Sequence, residues 1–282
     1  MVRIVTDSVC DIPPEMAHRL SITVVPLYIR IGAETYRDGV DIDVGRVYHE
    51  LAHGGDIPKT SVPSPGDFVT VYNKLAAETD HIISIHLSAG YSGTCNVARL
   101  ARSYTGDKCH IEVIDSNAVS VGLGLTVIAA ARAAQEGKSL NQIVEEIHQV
   151  IPRIRVFGKV DNFAYLFKGK RFQLTRGLTL LGKASMALGI KLLGEVYDGG
   201  KIRSPTCVIG RAMALNRLKR WASRFSGIKE IAIAYSTMPD EAEMLTQHLE
   251  PIISREHILT TRLGCATSTY VGPGTLVMAL KL

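Results

Sequence analysis

Short runs of aliphatic and β-branched residues alternate with longer stretches of helical periodicity along almost the whole chain. This alternation is typical of an α/β fold with parallel strands. The runs that we interpret as strands are residues 2–5, 22–29, 81–85, 111–114, 155–160, 190–196, 206–209, 231–235, 258–262 and 276–280.

Helix boundaries are marked by residues that cap helices. The segment Ser64-Pro65-Gly66-Asp67 places a cap, a first-turn proline and an acidic third residue before a periodic stretch, so it predicts a helix start. Gly137 is expected to end a helix that begins near Ala118, and Ser139 is expected to begin the next one. Between two strands, Asp198-Gly199-Gly200 predicts a hairpin, which favours a mixed sheet in the second half.

Composition and charge narrow the class of protein. The 282 residues are 46% hydrophobic and 21% charged, which excludes disordered and fibrous chains. The net charge of +5 conceals a basic segment, residues 151–224, with 16 Lys and Arg against three acidic residues. We place a domain boundary where this segment starts, which gives an N-terminal α/β domain of residues 1–155 and a basic C-terminal domain of residues 156–282. A basic lobe indicates an acidic partner or a phosphate, although a solvated face without a specific role is the alternative.

Nucleic acid is a weaker interpretation of the same segment, because it contains few aromatic residues and no nucleic-acid-binding motif. A regulator that binds nucleic acid would lose affinity steeply as salt increases. We therefore expect no nucleic-acid partner.

The cysteines and the apolar stretches of the chain indicate the cellular compartment in which the protein is expected to act. The five cysteines form no Cys-x-x-Cys pair and are odd in number, which favours a reducing compartment over a disulfide framework. The chain reaches Asp7 before an apolar run long enough for a signal peptide, and its longest uncharged stretch is too short and polar to span a bilayer. We expect a cytoplasmic protein without a membrane span.

A polar turn follows the strand predicted at residues 81–85. Ser92, Gly93 and Thr94 are expected at the N-terminus of the next helix, where backbone amides and hydroxyls could bind a carboxylate or phosphate. A plain capping turn is the alternative. The spacing of Gly90 and Gly93 around Ser92 does not match the Gly-x-Ser-x-Gly elbow of serine hydrolases.

A second group of hydroxyls lies in a loop that prolines stiffen. Thr60, Ser61 and Ser64 suit carboxylate recognition, with turn and cap roles as the alternative. Both groups lie at strand-to-helix junctions, and ligands bind at the carboxyl ends of strands in α/β sheets.

The segment His49-Glu50-x-x-His53 matches the zincin pattern of two zinc ligands and a general base. Gly54 directly follows His53, and the third histidine of the longer metzincin motif is absent. We therefore expect no metal site. An enzyme remains the alternative to a binding protein, as a zinc hydrolase on this helix or as an acyl or phosphoryl transferase at the Ser92 turn.

Five segments, in order, resemble motifs of the DegV family of bacterial fatty-acid-binding proteins. They are Val5-Thr6-Asp7-Ser8, Thr60-Ser61-Val62-Pro63-Ser64, Leu87-Ser88 with Ser92-Gly93-Thr94, Asp115-Ser116, and Tyr165-Leu166-x-Lys168-Gly169-x-Arg171. The resemblance implies two intertwined α/β domains, an N-terminal three-layer parallel sheet and a C-terminal mixed sheet, with one long-chain fatty acid between them in an apolar tunnel.

The resemblance also implies roles for residues of these motifs. Thr60 and Ser92 would hold the carboxylate, beside the neighbouring Ser61, Gly93 and Thr94. Tyr270 stands where the family commonly has a histidine before Val/Thr-Gly-Pro-Gly, and it too can donate a hydrogen bond.

Members of one class of the family present the carboxylate to a separate ATP-dependent fatty-acid kinase. By motif position, Arg171 and Arg211 would dock such a kinase. The resemblance thus implies a carrier rather than an enzyme, with a fatty acid as ligand, no cofactor, and at most transient contact with a membrane.

Overall fold

The computed structural model describes residues 1–53, 58–106, 109–162, 165–166, 188–197 and 201–282. The strands are β1 (Arg3–Asp7), β2 (Ile22–Val25), β3 (Tyr28–Ile31), β4 (Glu34–Arg37), β5 (Lys59–Ser61), β6 (His81–His86), β7 (His110–Asp115), β8 (Ile154–Val160), β9 (Ile190–Tyr197), β10 (Lys201–Ile209), β11 (Glu230–Tyr235), β12 (Ile258–Arg262) and β13 (Leu276–Lys281). The helices are α1 (Pro14–Arg19), α2 (Val44–His53), α3 (Pro65–Ala76), α4 (Thr94–Arg102), α5 (Val121–Gln135), α6 (Leu140–Val150), α7 (Arg211–Ala222), α8 (Pro239–Leu249) and α9 (Cys265–Val271).

The N-terminal half contains a parallel sheet in the order β2-β1-β6-β7. Both of its faces are covered, because Ile4 and Ile83 pack on the side of α5 whereas Val5 and Ile82 pack on the side of α3 and α4. The expected three-layer parallel arrangement is confirmed.

The C-terminal half contains a six-stranded mixed sheet in the order β10-β9-β8-β13-β11-β12. Only β11 and β12 pair in parallel in this sheet, and its other neighbouring strands are antiparallel. The predicted mixed sheet is confirmed. Tyr197 pairs with Lys201 across the predicted hairpin, whose turn at residues 198–200 lies outside the described residues.

One strand prediction is wrong. The run at residues 22–29 forms two strands, β2 and β3, because Pro26 lacks the amide hydrogen that a continuous ladder needs. After this break, β3 joins a separate antiparallel sheet in the order β4-β3-β5. That small sheet carries Thr60 on β5.

Helix α5 joins the two halves, since all but two of its 15 residues are buried. It packs against β1 of the parallel sheet and against β8, β11 and β13 of the mixed sheet. The approach is close at two glycines: a Cβ added to Gly122 would lie 2.4 Å from a Val156 methyl, and one added to Gly124 would lie 2.6 Å from the Cys10 carbonyl oxygen. The domain boundary near residue 155 stays a prediction.

The predicted helix caps are present. Ser64 and Asp67 form a reciprocal capping box at the start of α3, and Ser139 and Gln142 form another at the start of α6. Gly137 adopts a φ of +80° just after α5, which begins at Val121, three residues later than expected.

Candidate functional site

An apolar pocket lies between strands β8 and β9, helix α9 and the segments that follow β1 and β6. Successive strand residues point to opposite faces, so alternate residues line it. The residues from the two strands are Val156, Gly158, Val160, Leu192, Gly194 and Val196.

Two hydroxyl side chains meet in the wall of this pocket. Thr60 Oγ1 on β5 lies 2.5 Å from Tyr270 Oη on α9, although 210 positions separate them in sequence. The hydroxyls of Ser120 and Thr267, which also line the pocket, donate to the Asp11 carboxylate instead. The structure therefore brings together two of the predicted head-group residues, Thr60 and Tyr270.

Two buried carboxylates hold the N-terminus of α9 and so position Tyr270. The amide of Gly264 donates to Asp11 Oδ1 at 2.8 Å, and the amides of Cys265 and Ala266 donate to Asp38 at 3.0 and 3.2 Å. These bonds satisfy amides that an N-terminal helical turn leaves without intrahelical partners. Burial raises the pKa of Asp11 to about 7, and burial also raises the pKa of Asp38.

The small sheet positions Thr60. Its neighbour across the ladder is Ile29 of β3, and Tyr28 pairs with Ser61. Ser61 is exposed, and its hydroxyl lies 3.5 Å from the Val62 carbonyl oxygen. Since side chains alternate along a strand, Ser61 faces away from the side on which Thr60 meets the pocket. A ligand contact of Ser61 stays a prediction.

The Ser92 turn borders the pocket through its neighbours Leu87 and Tyr91. Ser92 is buried, and its Oγ lies 2.9 Å from Thr94 Oγ1 and accepts from the Thr94 amide at 3.3 Å. Gly93 is exposed at the N-cap of α4. The Ser92 hydroxyl therefore accepts from the first amide of α4, and the carboxylate role of Ser92, Gly93 and Thr94 stays a prediction.

The two arginines expected to dock a partner differ in what the structure shows. Arg171 lies outside the described residues. Arg211 begins α7, half-buried, with its guanidinium 2.6 Å from Asp240 Oδ2 and 3.2 Å from Met244 Sδ. Docking through either residue stays a prediction.

The zincin-like segment lies at the exposed end of α2. The rings of His49 and His53 stack with centroids 4.2 Å apart, and His53 Nδ1 lies 2.9 Å from the His49 carbonyl oxygen. Among the described residues, no three His, Cys, Asp or Glu side chains group as they would around a metal ion. The geometry of the described residues gives the zinc hydrolase no support.

Sequence reasoning missed a buried chain of hydrogen bonds beneath the pocket. Tyr72 donates to Ser84 Oγ at 2.8 Å, Ser84 Oγ lies 2.7 Å from His86 Nε2, and His86 Nδ1 lies 3.0 Å from Asp7 Oδ2. All four residues are fully buried, so a substrate cannot reach this Ser-His-Asp arrangement. The spacing of Ser84 and His86, two residues apart on a buried strand, was the available signal.

Asp7 links this chain of hydrogen bonds to the pocket. Its carboxylate accepts from the amides of Val9 and Leu87 at 3.1 and 3.0 Å, and both of those residues line the pocket. The hydrogen bonds thus fix two segments of the pocket wall.

A second missed feature is Lys159, which is fully buried on the face of β8 opposite the pocket. Its Nζ lies 2.6 Å from Glu241 Oε2 and 2.7 Å from Asp161 Oδ1, and it donates to the Gly274 carbonyl at 2.8 Å. Gly274 has a φ of +75°, and an added Cβ would lie 2.6 Å from Asp161 Oδ2, so glycine is required there. Lys159 therefore anchors the loop that follows Tyr270.

Within the described ranges, no helix is long and apolar enough to cross a membrane.

Comparison with known proteins gives a consistent result. A family model described as "Uncharacterised protein, DegV family" matches residues 1–281. A DegV domain-containing protein of Clostridium perfringens is 37% identical over 283 residues, which covers 96% of this chain and 95% of that protein.

Two solved structures share the fold along the whole chain. A DegV family protein from Thermus thermophilus, described by its fatty-acid binding, is 29% identical with a TM-score of 0.85, covering 100% of this chain and 99% of that one. DegV of Bacillus subtilis, described as a fatty-acid-binding protein, is 27% identical with a TM-score of 0.80 and the same coverage. The α/β fold with one parallel and one mixed sheet is confirmed, and the chain belongs to the DegV family.

Proposed function

We propose that this protein binds a long-chain fatty acid in the pocket, with the carboxylate beside Thr60 and Tyr270 and the tail between the two sheets. The observation that carries this proposal is an apolar pocket with a pair of hydroxyls in its wall, in a fold shared with fatty-acid-binding DegV proteins. Each buried methylene contributes about 0.8 kcal/mol, so the tail supplies most of the affinity. The hydroxyls need only orient the head group.

Neutral donors carry the head-group recognition in this proposal. Thr60 and Tyr270 share a hydrogen bond, and a carboxylate oxygen beside them is an acceptor that either hydroxyl can serve. Ser92, in the turn that follows Tyr91 of the pocket wall, completes the set by its match to the family motif. Tyr270 offers a hydroxyl donor at the position where the family commonly has a histidine.

The carrier role is the finer part of the proposal. We propose that the protein acts in the cytoplasm without a cofactor and presents the carboxylate to an ATP-dependent fatty-acid kinase. Supporting this role are the basic segment at residues 151–224 and the position of Arg211 at the start of α7. A partner with an acidic surface would be steered towards such a segment.

Mass spectrometry of the purified protein, first native and then denatured and extracted, tests the binding. We expect one fatty acid per chain. Thr60→Val and Tyr270→Phe each remove one hydroxyl and should weaken binding by about tenfold. Thr35→Val removes an exposed hydroxyl from β4 of the same small sheet and should leave binding unchanged.

Three results would contradict the proposal or parts of it. A chain that neither carries nor binds a fatty acid would refute it, and stoichiometric zinc lost in His49→Ala would favour the hydrolase. Ser92→Ala with unchanged retention would remove Ser92 from the head-group site. Arg211→Ala should spare retention and slow phosphorylation by a fatty-acid kinase, so a loss of lipid would contradict the docking role.

A further inference from the structure

The floor of the pocket is built from three rungs of facing residues on β8 and β9. In antiparallel strands, directly opposed residues point to the same face. The rungs that face the pocket are Val156 with Val196, Gly158 with Gly194, and Val160 with Leu192. The middle rung therefore has no side chains, while the rungs on both sides carry branched ones.

The space above the two glycines differs. A Cβ added to Gly194 would lie 2.2 Å from Ile202 Cγ2, so a side chain from β10 already fills that position. Among the described residues, no atom lies within 4 Å of a Cβ added to Gly158, and the empty space of the pocket reaches this glycine. The result is a dimple in the floor, about one side chain in depth, between Val156 and Val160.

The backbone does not explain this glycine. Gly158 lies in register with Gly194 on one side and Val277 on the other, and it is absent from the glycines with positive φ. Any L-amino acid can adopt such an extended conformation. The missing side chain thus leaves space open in the pocket.

The loop after Tyr270 relates the hydroxyl pair to the carboxyl end of β8. It leads to Leu276, which pairs with Lys159, the neighbour of Val160 in β8. Gly158 is two residues deeper than Val160, about 7 Å at the usual rise of a strand. In the proposed binding, an acyl chain whose carboxylate lies at the hydroxyl pair would run past Val160 and over Gly158.

We infer that Gly158 is a specificity-determining residue, and that it selects acyl chains with a lateral bulge in their middle section. The apex of a cis double bond and a methyl branch both provide such a bulge. A straight saturated chain would leave the dimple unfilled and lose the dispersion contacts of its lining. This inference rests on the proposed fatty-acid binding.

Binding of four fatty acids to the full-length protein and to Gly158→Ala tests the inference. The probes are stearic and elaidic acid, which are straight, and oleic and 10-methylstearic acid, which are bulged. The wild type should prefer at least one bulged probe, and the added methyl should reduce that preference by about fourfold, the value of one buried methylene. Stearic and elaidic acid should bind both proteins to within about twofold.

Two controls separate pocket shape from stability. Gly66→Ala adds the same methyl to the exposed start of α3, where it would make an ordinary 3.6 Å contact with Ser64 Oγ, and should not change the preference. Thermal unfolding of Gly158→Ala should match or exceed that of the wild type, because alanine reduces the entropy of the unfolded chain.

The outcomes distinguish this inference from the proposed function. Equal binding of all four probes by the wild type, or an equal loss of all four in Gly158→Ala, would overturn the role of Gly158 while leaving fatty-acid binding in place. Failure of the wild type to bind any probe would instead refute the proposed function. A preference confined to oleic acid identifies the cis bend as the bulge, and one confined to 10-methylstearic acid identifies the branch.

Discussion

Lys159→Met should be among the most destabilising single substitutions in this protein. The ammonium group is fully buried and lies within 2.8 Å of oxygens from Glu241, Asp161 and Gly274. Methionine fills a similar volume but removes the charge and the hydrogen bond to the loop. The carboxylate of Glu241, whose side chain is 3% exposed, then loses its closest cation.

The expected magnitude follows from what remains around each carboxylate. Breaking a buried ion pair by removing one partner costs about 3–5 kcal/mol. Asp161 keeps Lys191 at 2.7 Å, and Glu241 keeps the Nε of Arg211 at 3.5 Å. Because both carboxylates retain a cation, we expect the lower end of the range, about 3 kcal/mol.

Urea unfolding followed by the fluorescence of Trp221 measures this cost. Trp221 is the only tryptophan in the sequence, and it stacks on Phe157, which lies on the same face of β8 as Lys159. Lys138→Met is a matched control, because Lys138 also lies between two carboxylates, at 3.0 and 2.7 Å, but its side chain is 36% exposed. Exposed ion pairs contribute about 0–1 kcal/mol.

The double variant Lys159→Met with Glu241→Gln completes the design. Neutralising Glu241 should recover part of the loss, since the remaining buried charge causes much of it. The reasoning is refuted if Lys159→Met costs no more than Lys138→Met, or if the second substitution recovers nothing.

Two further predictions concern the elements around Tyr270. The folded pKa of Asp11, about 7, exceeds the ordinary value of about 3.9, so the folded state retains a proton that the unfolded chain loses between these pH values. The stabilisation by the protonated Asp11 is full below about pH 4 and disappears as the pH rises through 7. The unfolding free energy of the wild type minus that of Asp11→Asn should therefore fall across this pH window. A constant difference would contradict the burial effect. Gly272→Ala combines a φ of +70° with a Cβ 2.3 Å from the Tyr165 ring, whereas Gly227→Ala has a φ of +74° and no described atom within 4 Å of its Cβ. Gly227→Ala should cost about 1–2 kcal/mol through backbone strain alone. Gly272→Ala should lower the urea midpoint further, because its added methyl also meets the Tyr165 ring. Equal effects of the two substitutions would mean that Tyr165 moves aside freely.

Local signals in the sequence predicted the elements well. Strand β12 lies where the run of aliphatic and β-branched residues predicted it, and the caps at Ser64 and Ser139 form as expected. The exception, the break at Pro26, shows the same principle, because a missing amide hydrogen outweighs the apolar pattern around it. Residues close together in sequence determine strands, caps and breaks, so the sequence alone is enough to predict them.

Residue chemistry indicated only the components of the site. A hydroxyl-rich loop pointed to Thr60, and the family motif pointed to Tyr270 and Ser92. The sequence showed neither that Thr60 meets Tyr270 nor that the Ser92 hydroxyl accepts from the Thr94 amide while Tyr91 lines the pocket. Contact between residues 210 positions apart depends on how the two sheets pack around α5.

The sequence by itself therefore determined the α/β class, most strand positions, the capped helix starts at Ser64 and Ser139, and the family, because periodicity, caps and motifs are local properties of the chain. Tertiary structure alone decided which polar groups lost water and which space stayed empty. Lys159 is an ordinary basic residue in sequence, yet packing seals it beside Glu241. Ile202 of a neighbouring strand covers Gly194 and leaves Gly158 open. Burial and volume are therefore properties of the packed chain rather than of any single segment.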